Sequence, residues 1–309
     1  MNNQLLKAFE GKRQKPAFSM IAIESWILPS WFIKQTGPLY PGYVLGEYRF
    51  ANLSYRNWTE FCNETGEPVL LVDGDGTIAL PKIGVSVEIW VNDGKKLFTP
   101  GRFLQTVQKG ATEFLCIETK SQFQNGVCKS LVFPIKDLRN YYIGLDLELY
   151  AAGESAFSDF LVLLVVRPYD HDGLTAVNRL EYKNKHLKVN NIELFQLESE
   201  PKIVYTTHAG LGDVTKYFKL EQNNYTIASQ DGSCTGMVGY SIRPADRTGI
   251  KLIFKPDSFK IFPDREKDFT QKWLVDSKQI WLNQFSFGHR IIKTGCVVDS
   301  IINQNLNYQ

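Results

Sequence analysis

The sequence predicts an all-β protein, a large two-sheet antiparallel β-sandwich that ends in a linker-type helix. Three observations carry this. Well over ten short apolar or alternating stretches recur at intervals of about 8–15 residues, with turn-forming residues between almost all of them. One of them, Leu161–Val166 in SDFLVLLVVRP, is an unbroken apolar run with valine at three of its six positions. It is closed by Arg167-Pro168, which reads as a strand covered on both faces. It is far shorter than the about 20 apolar residues of a membrane-spanning helix. From Asp264 onward the period changes: Phe269, Trp273, Leu274, Ser277, Ile280, Trp281 and Phe285 recur at three and four, placing the large apolar groups on one helical face.

The elements follow in order. Residues 1–20 are mixed and polar, an arm or an edge strand, and Ile21–Ile33 is aromatic-rich. Gly37–Gly42 is a rigid turn region, and Tyr43–Tyr55 reads as extended. Val69–Val72 is a short strand before the turn Asp73-Gly74-Asp75-Gly76. Val85, Val87, Ile89 and Val91 alternate with Ser86, Glu88 and Trp90, the pattern of a half-buried strand, and Asn92-Asp93-Gly94 turns it back to Lys96–Thr99. Thr112–Glu118 and Val127–Phe133 are further strands, with the turn Gln124-Asn125-Gly126 between them. Ile143, Leu145, Leu147 and Leu149 give the clearest alternation in the chain. Beyond Leu161–Val166 come Ala176–Tyr182 and His186–Val189 about Asn184, then Ile192–Leu197, Val204–Thr207, Tyr225–Ala228, Val238–Ile242 and Ile250–Phe254. No fixed-period repeat appears, which disfavours a propeller. Strands in succession without helical periods pack as two antiparallel sheets. The expected organisation is a sandwich over 1–262 and a helical linker segment over 263–309.

Composition narrows the function. Hydrophobic residues make up 43% and aromatic residues 13% of 309, enough for a large core, and the net charge is +2. The one basic cluster, Lys12-Arg13 with Lys15, is too small for a phosphate-binding face, so nucleic acid is not expected as a partner. Neither a signal peptide nor a membrane anchor is legible. The five cysteines, Cys62, Cys116, Cys128, Cys234 and Cys296, are scattered without CxxC spacing, which points to a reducing compartment and a cytoplasmic location. The sequons at Asn52, Asn57, Asn63 and Asn224 then read as chance matches.

No self-sufficient catalytic motif is present: GxSxG, the P-loop and GxGxxG are all missing. The four histidines, His171, His186, His208 and His289, lack metal-ligand neighbours at i+2 or i+4, so no metal and no cofactor is expected. His171 between Asp170 and Asp172 has the shape of an oriented base, but a solvated turn accounts for it better. The run beginning at Asp73 lacks the third donor and closing glutamate of a calcium loop. Asp146 and Glu148 fall on one strand face, an acid/base pair or simply the polar side of an exposed strand. Trp26, Trp31, Trp58 and Trp90 are as readily core as sugar platforms.

Several stretches together resemble a known domain: RFANLSYRNWTEF, LVDGDGTIALP, VSVEIWVNDGKKLFTPGRF, FLVLLVVRPYDHDGLTAVNRLEY and KHLKVNN. Over roughly residues 45–260 they are similar to the N-terminal β-sandwich, or supersandwich, of the six-hairpin glycosidases. These are glycoside hydrolases with an (α/α)6 toroid catalytic domain, glucoamylase-like and glycogen-debranching-like enzymes among them. Arg167-Pro168, Gly173 and Val189-Asn190 match that pattern, with Asn191 where glycine is usual. The resemblance implies a non-catalytic sandwich packing on a helical toroid, in cis or as a separate chain, and helping to shape its sugar cleft. It carries over no catalytic residue, because the family's carboxylates sit in the toroid. It makes the stretch after Pro263 a linker helix, whose exposed face would drive self-association if no toroid is present. A free-standing carbohydrate-binding or assembly module is the alternative. It would stack an oligosaccharide on exposed Trp58 or Tyr169, and Arg56 is a further candidate for substrate binding. A self-contained β-fold hydrolase using Asp146 and Glu148 is a third reading.

Overall fold

The structure is a computed structural model. It describes residues 58–62, 68–110, 116–137, 140–151, 159–171, 173–208, 210–211, 214, 217, 223–230, 232–243 and 249–254. Among these residues it is nearly all β, with no α-helix. The strands are β1 Trp58–Cys62, β2 Pro68–Asp73, β3 Ile78–Leu80, β4 Val85–Asn92, β5 Leu97–Phe98, β6 Gln105–Gly110, β7 Ile117–Phe123, β8 Gly126–Asp137, β9 Asn140–Ala151 and β10 Phe160–Arg167. They continue with β11 Tyr169–Asp170, β12 Gly173–Leu174, β13 Arg179–Lys183, β14 His186–Val189, β15 Ile192–Leu197, β16 Ile203–Thr207, β17 Thr226–Ala228, β18 Thr235–Ile242 and β19 Ile250–Phe254. The sequence stretches read as linker helix and N-terminal arm lie outside the described residues, as does Arg56.

One sheet runs β1-β2-β3-β4-β10-β18-β16 with β5 beside β4; the other runs β17-β13-β14-β15-β19-β9-β8-β7-β6. Every pairing between these strands is antiparallel. A single apolar cluster joins them: Val87, Ile89, Val91, Val162, Leu164 and Val166 from the first sheet meet Leu145, Leu147, Leu149, Ile250, Leu252 and Phe254 from the second. Aromatic edges lock the layers, with Phe123 of β7 set T-shaped on Phe160 of β10 at 5.4 Å between ring centroids. Each of these strands contributes alternate residues to the core, as the pleat requires.

The apolar run Leu161–Val166 lies in the middle of its sheet, between β4 and β18. Val162, Leu164 and Val166 enter the core between the sheets. Leu163 and Val165 enter a second, smaller cluster on the outer face with Trp90, Ile203, Val214 and Met237. Two-sided burial removes any need for polar residues in the strand, and this explains the unbroken run.

The neighbouring β4 corrects an expectation. Its alternation suggested one wet face, yet Ser86, Glu88 and Trp90 are buried as well. By contrast β9 matches its sequence pattern: Leu145, Leu147 and Leu149 are buried, while Asp146, Glu148 and Tyr150 face outward. Two hairpins use asparagine where a left-handed backbone is needed. Asn184 and Lys185 (φ 50° and 67°) turn β13 into β14, and Asn190 and Asn191 (φ 49° and 68°) turn β14 into β15. Asparagine tolerates this conformation, so glycine is dispensable at Asn191. The Asn190 side chain also accepts from the backbone N–H of Asn178 (2.8 Å) and Arg179 (3.1 Å) and donates to Ala176 O (3.0 Å). It thereby clips the entry to β13 onto the hairpin.

Candidate functional site

Two groups of polar side chains stand out, one on the outer face of each sheet. The first forms where β10 ends. Arg167-Pro168 stops the strand, because proline offers no N–H to the ladder. The chain then makes the short pair β11 and β12, closed by Thr175 N–H donating to Pro168 O at 2.9 Å. This turn brings Tyr169 back over β4. Its hydroxyl donates to Glu88 Oε1 at 2.5 Å, and Trp90 Nε1–H donates to Glu88 Oε2 at 2.7 Å. Ser86 Oγ donates to the Tyr169 carbonyl at 2.8 Å, and the Arg167 guanidinium sits 4.9 Å from the centre of the Trp90 ring. Such a cation–π contact is strengthened by desolvation.

Each carboxylate oxygen of Glu88 therefore accepts a side-chain hydrogen bond, and the group is sealed: Glu88 is 5% exposed, Tyr169 1% and Asp170 0%. The arrangement holds β11 against the sheet. The expectation of a solvated turn after the strand is corrected here, since both residues of β11 are buried. The expectation of an exposed Tyr169 ring is corrected with it, and the cause is the Glu88 carboxylate. The sequence signal for this group was present but split: a glutamate at a pleat position beside tryptophan, and a tyrosine 81 residues later. His171 follows, half-buried. Trp58 opens β1, half-buried, opposite Asp73.

The run at Asp73 is a turn: Asp73 Oδ1 accepts from the N–H of Asp75 (2.9 Å) and Thr77 (2.8 Å). Among the described residues no three His, Cys, Asp or Glu side chains converge as a metal-binding set.

The second group crosses β6 to β9 on the outer face of the other sheet. Lys129 lies 3.3 Å from Glu148 and 3.5 Å from Glu118. Lys120 and Lys109 also reach Glu118, at 3.3 and 3.4 Å. The Tyr150 hydroxyl donates to Glu148, and Lys251 is the cross-strand neighbour of Asp146. Asp146 and Glu148 share a face as expected, but on an open ladder of ion pairs, the ordinary polar side of an antiparallel sheet.

The ladder sets the protonation of its members. The Tyr150 hydrogen bond and then Lys129 hold Glu148 below the usual 4.5, although partial burial opposes them. Burial alone would raise Glu118, but the Lys120 hydrogen bond and the charges of Lys129, Lys120 and Lys109 hold it below 4.5. Burial pushes Asp146 above the usual 3.8, against the pull of Lys251. The two depressed glutamates contribute stability that is complete above about pH 4.5 and is lost as pH falls through their folded-state values. Asp146 runs the other way: its contribution is present at low pH and is lost as pH rises through its folded-state value. Lys129→Met removes the cation shared by both glutamates. The variant is expected to lose less of its urea midpoint than the parent does between about pH 5 and about pH 3. An identical loss in both would show that these pairs contribute nothing.

No disulfide joins Cys62, Cys116, Cys128 or Cys234, and burial raises the Cys128 thiol to about 12, which leaves it inert. Among the described residues no helix is long and apolar enough to cross a membrane.

Compared by sequence, the chain matches no family model and no curated protein. Compared by structure, it is similar to a bacterial glucoamylase complexed with acarbose, at 10% identity and a TM-score of 0.46, over 70% of this chain and 35% of that one. It is also similar to a putative kojibiose phosphorylase from human microbiome, at 8% identity and a TM-score of 0.31, over 82% of this chain and 31% of that one. The chain thus spans about a third of the length of each of these solved structures, and identities this low transfer no activity, ligand or site residue to it.

Proposed function

We propose that this chain is the non-catalytic β-sandwich of a glycoside-hydrolase-type protein, packing on a helical-toroid domain and helping to shape its sugar cleft. The observation that carries the reading is the way the stretches behind the family resemblance assemble. LVDGDGTIALP, VSVEIWVNDGKKLFTPGRF and FLVLLVVRP supply β2 to β5 and β10, which are contiguous in one sheet. The residues after Arg167-Pro168 build the Glu88–Tyr169 clasp and the Asn190 clip. The distinctive residues of the resemblance are thus spent on packing, as a scaffold requires. Four thiols without a disulfide support a reducing, cytoplasmic setting.

The expected result is that the purified chain releases no reducing sugar from α- or β-linked glucans. Turnover that disappears in the Asp146→Asn/Glu148→Gln double variant would overturn the proposal in favour of a self-contained hydrolase. As a binding module the sandwich would not stack a sugar on the Tyr169 ring, which is enclosed, whereas Trp58 is half-buried and keeps part of its surface open.

A further inference from the structure

The outermost strands of the two sheets are β1 and β16, β17 and β6. A strand in that position carries backbone N–H and C=O groups on its free side, and shortness, bulges, proline or a covering segment keep such an edge from pairing. Three of these edges are blunted in one of those ways. β17 is only three residues long. β1 breaks register between Phe61 and Cys62. β16 is covered on its far side by Asn224: Thr206 N–H donates to Asn224 O at 3.0 Å, and Asn224 N–H donates to Val204 O at 2.9 Å.

β6 differs from all three. Its six residues, QTVQKG, contain no proline and keep an unbroken register with β7, from Gln105 opposite Gln122 to Gly110 opposite Ile117. Among the described residues no strand lies beyond it. The strand is held in place from inside, where Gln108 Nε2 donates to Asp73 O of the other sheet at 2.7 Å and to Thr119 Oγ1 at 3.1 Å. A fixed edge loses little freedom when another strand joins it. The alternate residues face outward: Val107 lies opposite Lys120 and Lys109 opposite Glu118, on the side of the ion-pair ladder. Val107 is 50% exposed, and Leu104, just before the strand, 62%. The charge of Lys109 is met by Glu118 at 3.4 Å, which weakens its power to repel an approaching strand.

The residues of this edge fit their own copy. Antiparallel pairing of β6 with a second β6 about a two-fold axis at Val107 sets valine beside valine, Gln105 beside the second copy's Lys109, and Thr106 beside its Gln108. Apolar meets apolar, no like charges are opposed, and Leu104 falls opposite a glycine, Gly110. An axis at Lys109 would instead oppose two lysines. We propose that β6 is a docking edge for a second copy of this chain, which continues the nine-stranded sheet across a two-fold axis at Val107. Backbone hydrogen bonds supply the attraction and the valine pair fixes the register. This goes beyond the glycoside-hydrolase reading and stands or falls independently of it.

Sedimentation equilibrium of the full chain tests the association. Two six-residue strands make a small contact, so a weak dimer is expected, formed by about 1 mM protein. Val107→Lys places two like charges at the axis and is expected to raise the dissociation constant at least about ten-fold, with the urea midpoint retained. Cross-linking tests the register. Directly opposed Cα atoms in an antiparallel pair are about 4.5–5.5 Å apart, within disulfide reach. Under mild oxidation the Val107→Cys chain is expected to join copies through residue 107, read as a linked peptide by mass. Gln105→Cys is expected not to do so, since its two copies would lie about 13 Å apart along the strands. A chain that stays monomeric to about 1 mM would overturn the proposal. So would association unchanged in Val107→Lys, or Gln105→Cys cross-linking as readily as Val107→Cys.

Discussion

Leu163→Ala and Leu164→Ala are each expected to lower the unfolding free energy by about 2–5 kcal/mol, measured by urea denaturation. The two side chains are adjacent on β10 and point to opposite sides of the sheet. Leu164 sits in the core between the sheets, opposite Ile89 and Val238. Leu163 sits in the outer cluster, opposite Trp90 and Gly239. Both are 0% exposed. In a sheet with one wet face, Leu163 would be worth only a few tenths of a kcal/mol, as surface substitutions usually are. Equal and large losses therefore test two-sided coverage directly, whereas a small loss at Leu163 alone would contradict it. The close approach of Gly239 gives the same site a second sensitivity. A Cβ there would lie 2.8 Å from Leu163 Cδ2 and 3.2 Å from Ile203 Cβ, so Gly239→Ala forces the outer cluster to move.

The Glu88 clasp is the second large effect. Glu88→Ala leaves two buried donors, Trp90 Nε1–H and Tyr169 O–H, without their acceptor. At about 1–3 kcal/mol for each unsatisfied group, the expected loss is about 2–6 kcal/mol. Tyr169→Phe removes one donor and leaves Glu88 Oε1 short of a partner, for about 1–3 kcal/mol. Because the residues share one network, the double variant is expected to lose less than the sum of the two single losses. A neutral Tyr169→Phe would show that the hydroxyl is not a fixture of the fold. It would also reopen a role for the tyrosine beyond packing.

How far these features were legible in sequence depended on how local their causes are. The alternation at Ile143–Leu149 identified both the strand and its inner face, because one face of β9 is wet. The run Leu161–Val166 announced two-sided burial by containing no polar residue. The misreading of β4 has the opposite origin. Ser86 and Glu88 look like solvent-facing positions, but Tyr169, far along the chain, hydrogen-bonds to both of them. Strand β6 was missed because Gln105–Gly110 has no apolar period; its strand character comes from pairing with β7. The strand expected at Thr112–Glu118 begins later, at Ile117, with residues 111–115 outside the described set. Turns were the most legible features, since Asp73, Asn92-Asp93-Gly94 and Asn125-Gly126 carry their own hydrogen-bonding chemistry. The candidate sites were the least legible. The Glu88 and Glu118 groups are assembled by sheet register, which no short motif encodes.

The account's central claim is that the polar and aromatic groups of this sandwich are committed to packing and not to a ligand. Titration of the full chain with soluble α- and β-glucans, followed by tryptophan fluorescence, tests it most directly, because Trp58 and Trp90 lie at the two places where a sugar contact was expected or adjoins. The account predicts no saturable change up to millimolar-range oligosaccharide, the weak end of specific binding at about 1 mM. A saturable shift that is lost in Trp58→Ala would contradict it and would make this chain a carbohydrate-binding module in its own right.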